Sequence, residues 1–379
     1  MRKWMMIVLL LFGVCGGSVT SFASELVKKD EYLIMFQDNI DKSLIEKQGG
    51  EVKEAYSHLP IVKAEFSYDP TDNLKQYAEI VEVEADGDVK ANGTEDSLQN
   101  EMSNVLHTKE KGVSPLTGKG TSVAILDTGI DRENSDVKIK EGISFVENVS
   151  DFDDDNGHGT HLAGIIGAQK NNMGMTGIAP NTDLYAVKVL DKYANGKYST
   201  VVKGIDWAIE HKANIILMSL GGKKESVFFE EAMNKAYEKG ILLVASAGNE
   251  GYKEGNSITY PAKFDAVMAV GALDNKNQRG FLSSKGEQLE VMAPGVDIWS
   301  TWNNGDYRLD SGTSMAAAHV VGVASLLLEN DRMMSNQQVR ELLKKSAKPL
   351  GNPLEYGNGK VNVSRALQMM NEKETHMGK

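Results

Sequence analysis

Ser122-Val123-Ala124-Ile125-Leu126-Asp127-Thr128-Gly129-Ile130-Asp131 is an apolar run that stops on a carboxylate and a turn. Short runs that are apolar without a break belong to strands covered on both faces, as in parallel sheets. Leu184 to Leu190, Asn214 to Ser219, Ile241 to Ser246 and Val267 to Val270 are of the same kind. Between them, Thr200 to Glu210, Val227 to Lys239 and Met315 to Leu328 carry apolar residues at helical spacing. The alternation predicts an α/β fold: a doubly wound, mostly parallel sheet with helices on both faces.

Upstream of this region, Ser24 to Glu95 reads as a small α+β unit. Tyr32 to Phe36, Val52 to Tyr56, Ile61 to Phe66 and Ile80 to Glu84 are its strands, and Ile40 to Gln48 and Asn73 to Ala78 its helices. Asp86 to Thr94 is rich in Gly, Asn and Asp and reads as a linker. Arg2 and Lys3 precede the apolar run Trp4 to Val14, and Ser21-Phe22-Ala23 presents small residues to a signal peptidase. A run of about 11 residues is short of the roughly 20 that span a bilayer. The expected organisation is a signal peptide over 1–23, the small unit over 24–95 and the α/β domain over 96–379, secreted and free of the membrane after cleavage.

The 379 residues carry 41 Lys and Arg against 53 Asp and Glu, a net charge of −12. Such a balance, without a long basic run, argues against nucleic acid as a partner. By segment the charge divides into −9 for residues 24–95 and −5 for residues 96–379, so most of the acidity belongs to the small unit. The single Cys15 leaves with the signal. Neither a disulfide nor a Cys-based zinc site is then available, and a bound metal needs oxygen or His ligands.

Chemistry in open α/β sheets gathers at the carboxyl ends of strands. Asp127 ends one such run; His158 lies in Asn156-Gly157-His158-Gly159-Thr160-His161 before the helix-like Leu162 to Ala168; Ser314 opens the most apolar helix in Ser311-Gly312-Thr313-Ser314-Met315-Ala316-Ala317-Ala318-His319. Together a carboxylate, an imidazole and a hydroxyl are the parts of a nucleophilic relay. Asn249, in Ala245-Ser246-Ala247-Gly248-Asn249-Glu250-Gly251, adds an amide suited to an oxyanion.

These motifs, in the order Asp, His, Ser, resemble those of the subtilisin family of serine peptidases. The similarity covers nearly all of residues 96–365, including Ser219-Leu220-Gly221-Gly222, Tyr260-Pro261-Ala262 and Ala293-Pro294-Gly295. It implies that Asp127 orients His158, that His158 is general base and then general acid, and that Ser314 is the nucleophile. The Ser314 N–H and the Asn249 side chain would form the oxyanion hole. Residues 24–95 similarly look like the family's inhibitory propeptide, a ferredoxin-like βαββαβ unit cut away by the enzyme itself. One departure is Ala318, where the family usually has Pro. Met315, beside the nucleophile, reads first as a packing residue, with a sulfur exposed enough for peroxide to lower activity as the further expectation.

The resemblance also implies where peptide or protein substrates lie. Ser219, Leu220 and Gly221 on one side and Ala194, Asn195 and Gly196 on the other would flank the substrate as neighbouring strands. Ala247, Gly248 and Thr259 would line the pocket for the residue before the cut, with Tyr198 and Val201 further along. Glu250 at the rim would favour a basic residue and Lys253 the reverse. Structural Ca2+ is the implied ion: Asp136 and Asn171 match the family's oxygen donors, with Gln169, Met173 and Met175 in the same loop and Gln99 upstream. The acidic run Asp151 to Asp155 is either a second ion site or a solvated loop.

The expected function is thus a secreted, monomeric, autoprocessed serine endopeptidase. A dedicated peptidase that matures a secreted peptide such as a lanthipeptide is the alternative: Gly87-Asp88-Val89-Lys90-Ala91 is similar to leader ends cut by such enzymes, and Glu95-Asp96 offers a self-cleavage junction. An inactive subtilisin-like binding protein is a third reading.

Overall fold

The computed structural model describes residues 29–92 and 116–377. The expected signal peptide, the Glu95-Asp96 junction and Gln99 lie outside the described residues.

The small unit runs β1 (Asp30–Phe36), α1 (Lys42–Lys47), β2 (Glu51–Ala55), β3 (Ile61–Phe66), α2 (Thr71–Leu74) and β4 (Ile80–Ala85). Its antiparallel sheet has the order β2-β3-β1-β4. Asp41 caps α1 by accepting from the Ser43 and Leu44 N–H groups. Ile34, Phe36, Ile45, Phe66 and Leu74 fill the core between helices and sheet. The second helix forms upstream of the expected Asn73 to Ala78. Pro70 presets the backbone there and the Asp69 carboxylate takes the Thr71 N–H, which starts the helix at once and buries Leu74.

The supposed linker is a strand in part, β5 (Asp88–Ala91). Beyond it follow β6 (Ser122–Asp127), β7 (Ile139–Ser144), α3 (His158–Gly167), β8 (Asp183–Lys188), β9 (Asn195–Lys197), α4 (Tyr198–Glu210), β10 (Ile215–Met218) and β11 (Leu220–Gly221). The chain then continues through α5 (Val227–Glu238), β12 (Leu242–Ser246), β13 (Val267–Leu273), β14 (Leu289–Pro294), β15 (Ile298–Thr301) and β16 (Tyr307–Asp310). The last helices are α6 (Thr313–Asn330), α7 (Asn336–Ser346), α8 (Pro353–Tyr356) and α9 (Val363–Met377).

The main sheet has the order β14-β13-β12-β10-β6-β8-β7 and is parallel throughout. Alternate residues of its inner strands enter different cores. On β6, Val123 and Ile125 share a core with α3 and α6, while Ala124 and Leu126 share one with α4 and α5. Each large side chain so buried contributes roughly 1.5–3 kcal/mol, and double coverage is why these strands read as unbroken apolar runs. The edge strands β7 and β14 are not legible that way. They carry polar residues such as Lys140, Glu141 and Glu290, the last paired with Arg340 of α7. Helix α6 crosses the middle of one face, with every residue from Thr313 to Leu328 buried. Ala318 lies within it and the helix is continuous there. Met315 is fully buried in the core shared by α3 and α6, as a packing residue should be, so its sulfur is not exposed to oxidants as the further expectation had it.

Candidate active site

Strand order reverses at β6, which has β8 and β7 on one side and β10, β12, β13 and β14 on the other. The crevice at such a switch point is where open α/β sheets bind ligands. Asp127 ends β6, Ser219 follows the neighbouring β10, and Ala247, Gly248 and Asn249 follow β12.

His158 is the first residue of α3, and glycines bring it to Asp127. Gly157 has φ 112°, and a Cβ on Gly159 would be 2.1 Å from the Gly129 carbonyl oxygen. The first turn of α3 can therefore lie directly on the turn after β6. The buried Asp154 carboxylate accepts from Gly157 N–H at 2.9 Å and from Thr160 N–H at 2.9 Å, a negative charge at a helix N-terminus. With α3 so held, His158 Nδ1 donates to Asp127 Oδ1 at 2.7 Å. Burial pulls the imidazole pKa down, but the charges of Asp127, Asp310 and Asp154 and the Asp127 hydrogen bond outweigh it, so the net shift is upward. His158 Nε2 is buried and makes no hydrogen bond among the described residues.

Ser314 is the second residue of α6. Its hydroxyl donates to the Ser219 carbonyl at 3.3 Å, and the Ser219 hydroxyl returns a bond to the Ser314 carbonyl at 3.2 Å. The hydroxyl thus points to β10 rather than to His158 in this form. Thr313 offers its N–H and Oγ1 to Asn249 Oδ1 at 3.1 and 3.0 Å. Those two bonds leave Asn249 Nδ2 as the outward donor, and it bonds the carbonyl oxygen of Asn92 at 2.6 Å.

Asn92 is brought there by β5, the middle strand of a three-stranded antiparallel sheet β11-β5-β9. Leu220 is opposite Ala91, Gly221 opposite Lys90, Gly196 opposite Val89 and Asn195 opposite Lys90. Ala91 N–H bonds the Ala194 carbonyl at 2.9 Å and Asn92 N–H bonds the Ser219 carbonyl at 3.0 Å. The two segments expected to flank a substrate therefore flank the chain's own residues 88–92. Val89 is buried with Tyr198, Val201 and Leu220 in one core. The Asn92 side chain donates to Ser246 Oγ at 2.9 Å. Thr259 stands close by, its N–H on the Ala247 carbonyl at 3.0 Å. Sequence reasoning misses Ser246 although it lies in the Ala245 to Gly251 motif, whose position at a strand end is the signal that could find it. It misses Asn92 because a linker gives no local sign of docking. Glu250 is paired with Lys253 at 2.6 Å and Lys223 at 3.1 Å, so the rim charge is met by both lysines.

Of the metal candidates, Asp136 and Asn171 meet. Asp136 Oδ1 accepts from Asn171 Nδ2 at 2.9 Å, and Oδ2 accepts from Met175 N–H at 3.2 Å and Tyr307 OH at 2.9 Å. Burial and the Asp136 partner push the Tyr307 pKa up to about 12. The Gln169 side chain turns away to the Pro180 carbonyl at 2.8 Å, and the Met173 side chain is exposed. Met173 and Met175 therefore have only their backbone carbonyls to offer as hard oxygen donors, and the Gln169 amide nitrogen is spent on the Pro180 carbonyl. Among the described residues no three His, Cys, Asp or Glu side chains cluster as metal ligands. The acidic run is taken up by protein donors: Asp151 pairs with Arg132, Asp153 accepts the Arg132 N–H, Asp154 caps α3, and Asp155 pairs with the buried Lys188 at 2.7 Å.

No helix of the described residues is long and apolar enough to cross a membrane. The subtilase family model matches residues 118–359. Subtilisin E of Bacillus subtilis is 39% identical over 331 residues, covering 86% of this chain and 86% of its own. The thermostable alkaline protease of Halalkalibacterium halodurans is 38% identical over 343 residues, covering 90% and 93%. Subtilisin DY of Bacillus licheniformis is 46% identical over 252 residues, covering 66% and 92%. A carboxylate, an imidazole and a helix-opening serine at one switch point, under a family match of this extent, lead to one assignment: the chain belongs to the subtilase family and is a subtilisin-like serine endopeptidase.

Proposed function

We propose that this chain is an exported precursor that cuts itself with an Asp127–His158–Ser314 relay and is held inactive by its own N-terminal unit. The observation that carries the reading is the 2.6 Å bond from Asn249 Nδ2 to the Asn92 carbonyl, at the end of a strand threaded between β9 and β11. A scissile carbonyl needs that environment: a side-chain donor on its oxygen and a hydroxyl at a helix N-terminus beside it. Ser314 Oγ turns from the Ser219 carbonyl to the carbonyl carbon and gives its proton to His158 Nε2. The oxyanion is held by Asn249 Nδ2 and the Ser314 N–H. Collapse breaks the C–N bond as His158 returns the proton to the leaving amine. Water, deprotonated by the same imidazole, then splits the ester and restores Ser314.

The docked unit supports the inhibitory role. Beyond β5, the Glu84 carboxylate meets Ser226 at the start of α5, and the Asp86 carboxylate accepts the Ser199 N–H at 2.9 Å at the start of α4. Asp206 of α4 accepts the Ser57 and His58 N–H groups, each at 2.9 Å. Secretion is supported by the signal-like residues 1–23, and a monomer is the state proposed for the exported chain. Ca2+ fits the loop 169–175 as a single-carboxylate oxygen site: Asp136, the Asn171 side-chain oxygen, which now accepts the Met173 N–H at 2.9 Å, and the carbonyls of Gln169, Met173 and Met175 would hold it. Bound there, it would tie the loop to the Asp136 turn and take no part in the chemistry.

Ser314→Ala tests the reading. The variant should fold, remain a full-length precursor and hydrolyse no peptide; self-cleavage at the wild-type rate would sink it.

A further inference from the structure

We propose that the pocket before the cut selects an uncharged carboxamide side chain, Asn, and that the first bond broken is the chain's own Asn92–Gly93. The inference rests on the peptidase reading and gives it a substrate class. The cleavage point is three residues before the junction read from the sequence.

The pocket is a polar slot. Ser246 Oγ is fully buried and accepts from Asn92 Nδ2 at 2.9 Å. Thr259 is 9% exposed, and its Oγ1 is buried and makes no hydrogen bond among the described residues. A Cβ built on Gly221 would be 2.6 Å from Thr259 Oγ1 and 2.9 Å from Asn92 Nδ2. A Cβ built on Gly248 would be 2.8 Å from the same Thr259 oxygen. The Thr259 side chain thus stands between the two glycines that wall the slot and closes off its depth. Ser246 Oγ takes one N–H of the Asn92 amide, and Thr259 Oγ1 is a second polar atom in the same slot with hydrogen-bonding capacity to spare, which suits a short side chain that can both donate and accept, a primary amide.

Other side chains fit worse for distinct reasons. Leu has a similar size but leaves the buried Ser246 hydroxyl without the partner that Asn92 gives it. Asp has the same shape but brings an unpaired charge into a buried slot whose polar groups are neutral hydroxyls, and it has no N–H to give Ser246 Oγ. Phe meets Thr259 before its ring is housed. Sites built to hydrogen-bond a substrate group discriminate more strongly than apolar pockets do.

The experiment uses peptides copying residues 88–95 with Asn92 retained or replaced as Asn92→Asp, Asn92→Leu and Asn92→Phe, together with mass analysis of the earliest N-terminal fragment released by the wild-type precursor. The expected results are a kcat/KM for the Asn peptide at least tenfold above each of the others, and a fragment ending at Asn92. Ser246→Ala should reduce the Asn-over-Leu ratio at least tenfold, and Thr259→Gly should raise the Phe peptide relative to Asn. Cleavage of the Leu or Phe peptide as fast as the Asn peptide overturns the proposal, as does a first fragment ending at Glu95. In those outcomes the peptidase reading survives. Failure to cleave any peptide, with the precursor intact, would instead remove the peptidase reading and this inference with it.

Discussion

Asn249 gives one side of its amide to α6 and the other to the end of the segment that follows β5: Oδ1 accepts from Thr313, and Nδ2 donates to the Asn92 carbonyl oxygen at 2.6 Å. The first pair fixes the direction of the second. Its donor is aimed before any charge develops, which is what electrostatic preorganisation requires.

Asn249→Ala should therefore lower kcat and leave KM nearly unchanged. The expected loss is about 100- to 1,000-fold, the value typical of a subtilisin that loses this same donor. Steady-state kinetics on a short peptide would check it, and a tenfold rise in KM at constant kcat would count against the assigned role.

The acid limb of activity should follow His158. Only neutral imidazole accepts the Ser314 proton, so kcat/KM falls as pH drops through a pKa raised by Asp127, Asp310 and Asp154 against the effect of burial. Removing the Asp310 charge takes away part of that rise. The limb of Asp310→Asn should move to lower pH in a pH–rate profile; a limb that stays put or moves up would contradict this electrostatic account.

Docking of the N-terminal unit should be firmer on the acid side. Burial raises the Asp86 pKa above its ordinary 3.8 despite the Ser199 hydrogen bonds and Lys63. A carboxyl raised in the folded state adds stability that is fully present below the ordinary pKa and is lost as pH climbs through the raised one. In the Ser314→Ala precursor, urea midpoints measured upward from that ordinary value should show this loss, and adding Asp86→Asn should flatten that part of the profile. Identical slopes in both proteins would rule it out.

Chelation should lower the thermal midpoint of the processed enzyme. A cation at about 100 times its Kd stabilises by about 2.7 kcal/mol, which corresponds to about 5–10 °C in a domain of this size. Asp136→Asn removes the one carboxylate of the proposed site, so its midpoint should respond little to chelator. An unchanged wild-type midpoint after chelation would dispose of the calcium proposal.

Much of the fold is written in local sequence. The β6 run Ser122–Asp127, the glycines around His158 and the apolar α6 follow from rules that act within a few residues: double burial, positive φ at Gly157, helical periodicity. The strands β7 and β14 escape those rules because edge strands keep polar side chains, and α2 begins early because Pro70 and Asp69 set its start.

Strand burial and turn chemistry are short-range, so the α/β class and the residue types that converge at the carboxyl ends of the strands are legible in the chain before it folds. Long-range contacts alone make Asp88–Ala91 a strand, bring Asn92 to Asn249, and gather Ser246 and Thr259 into a polar slot around it. The cause is that β5 has no partner of its own. Its hydrogen bonds come from β9 and β11, which begin at Asn195 and Leu220, and no local pattern in a polar linker records a bond made at that distance.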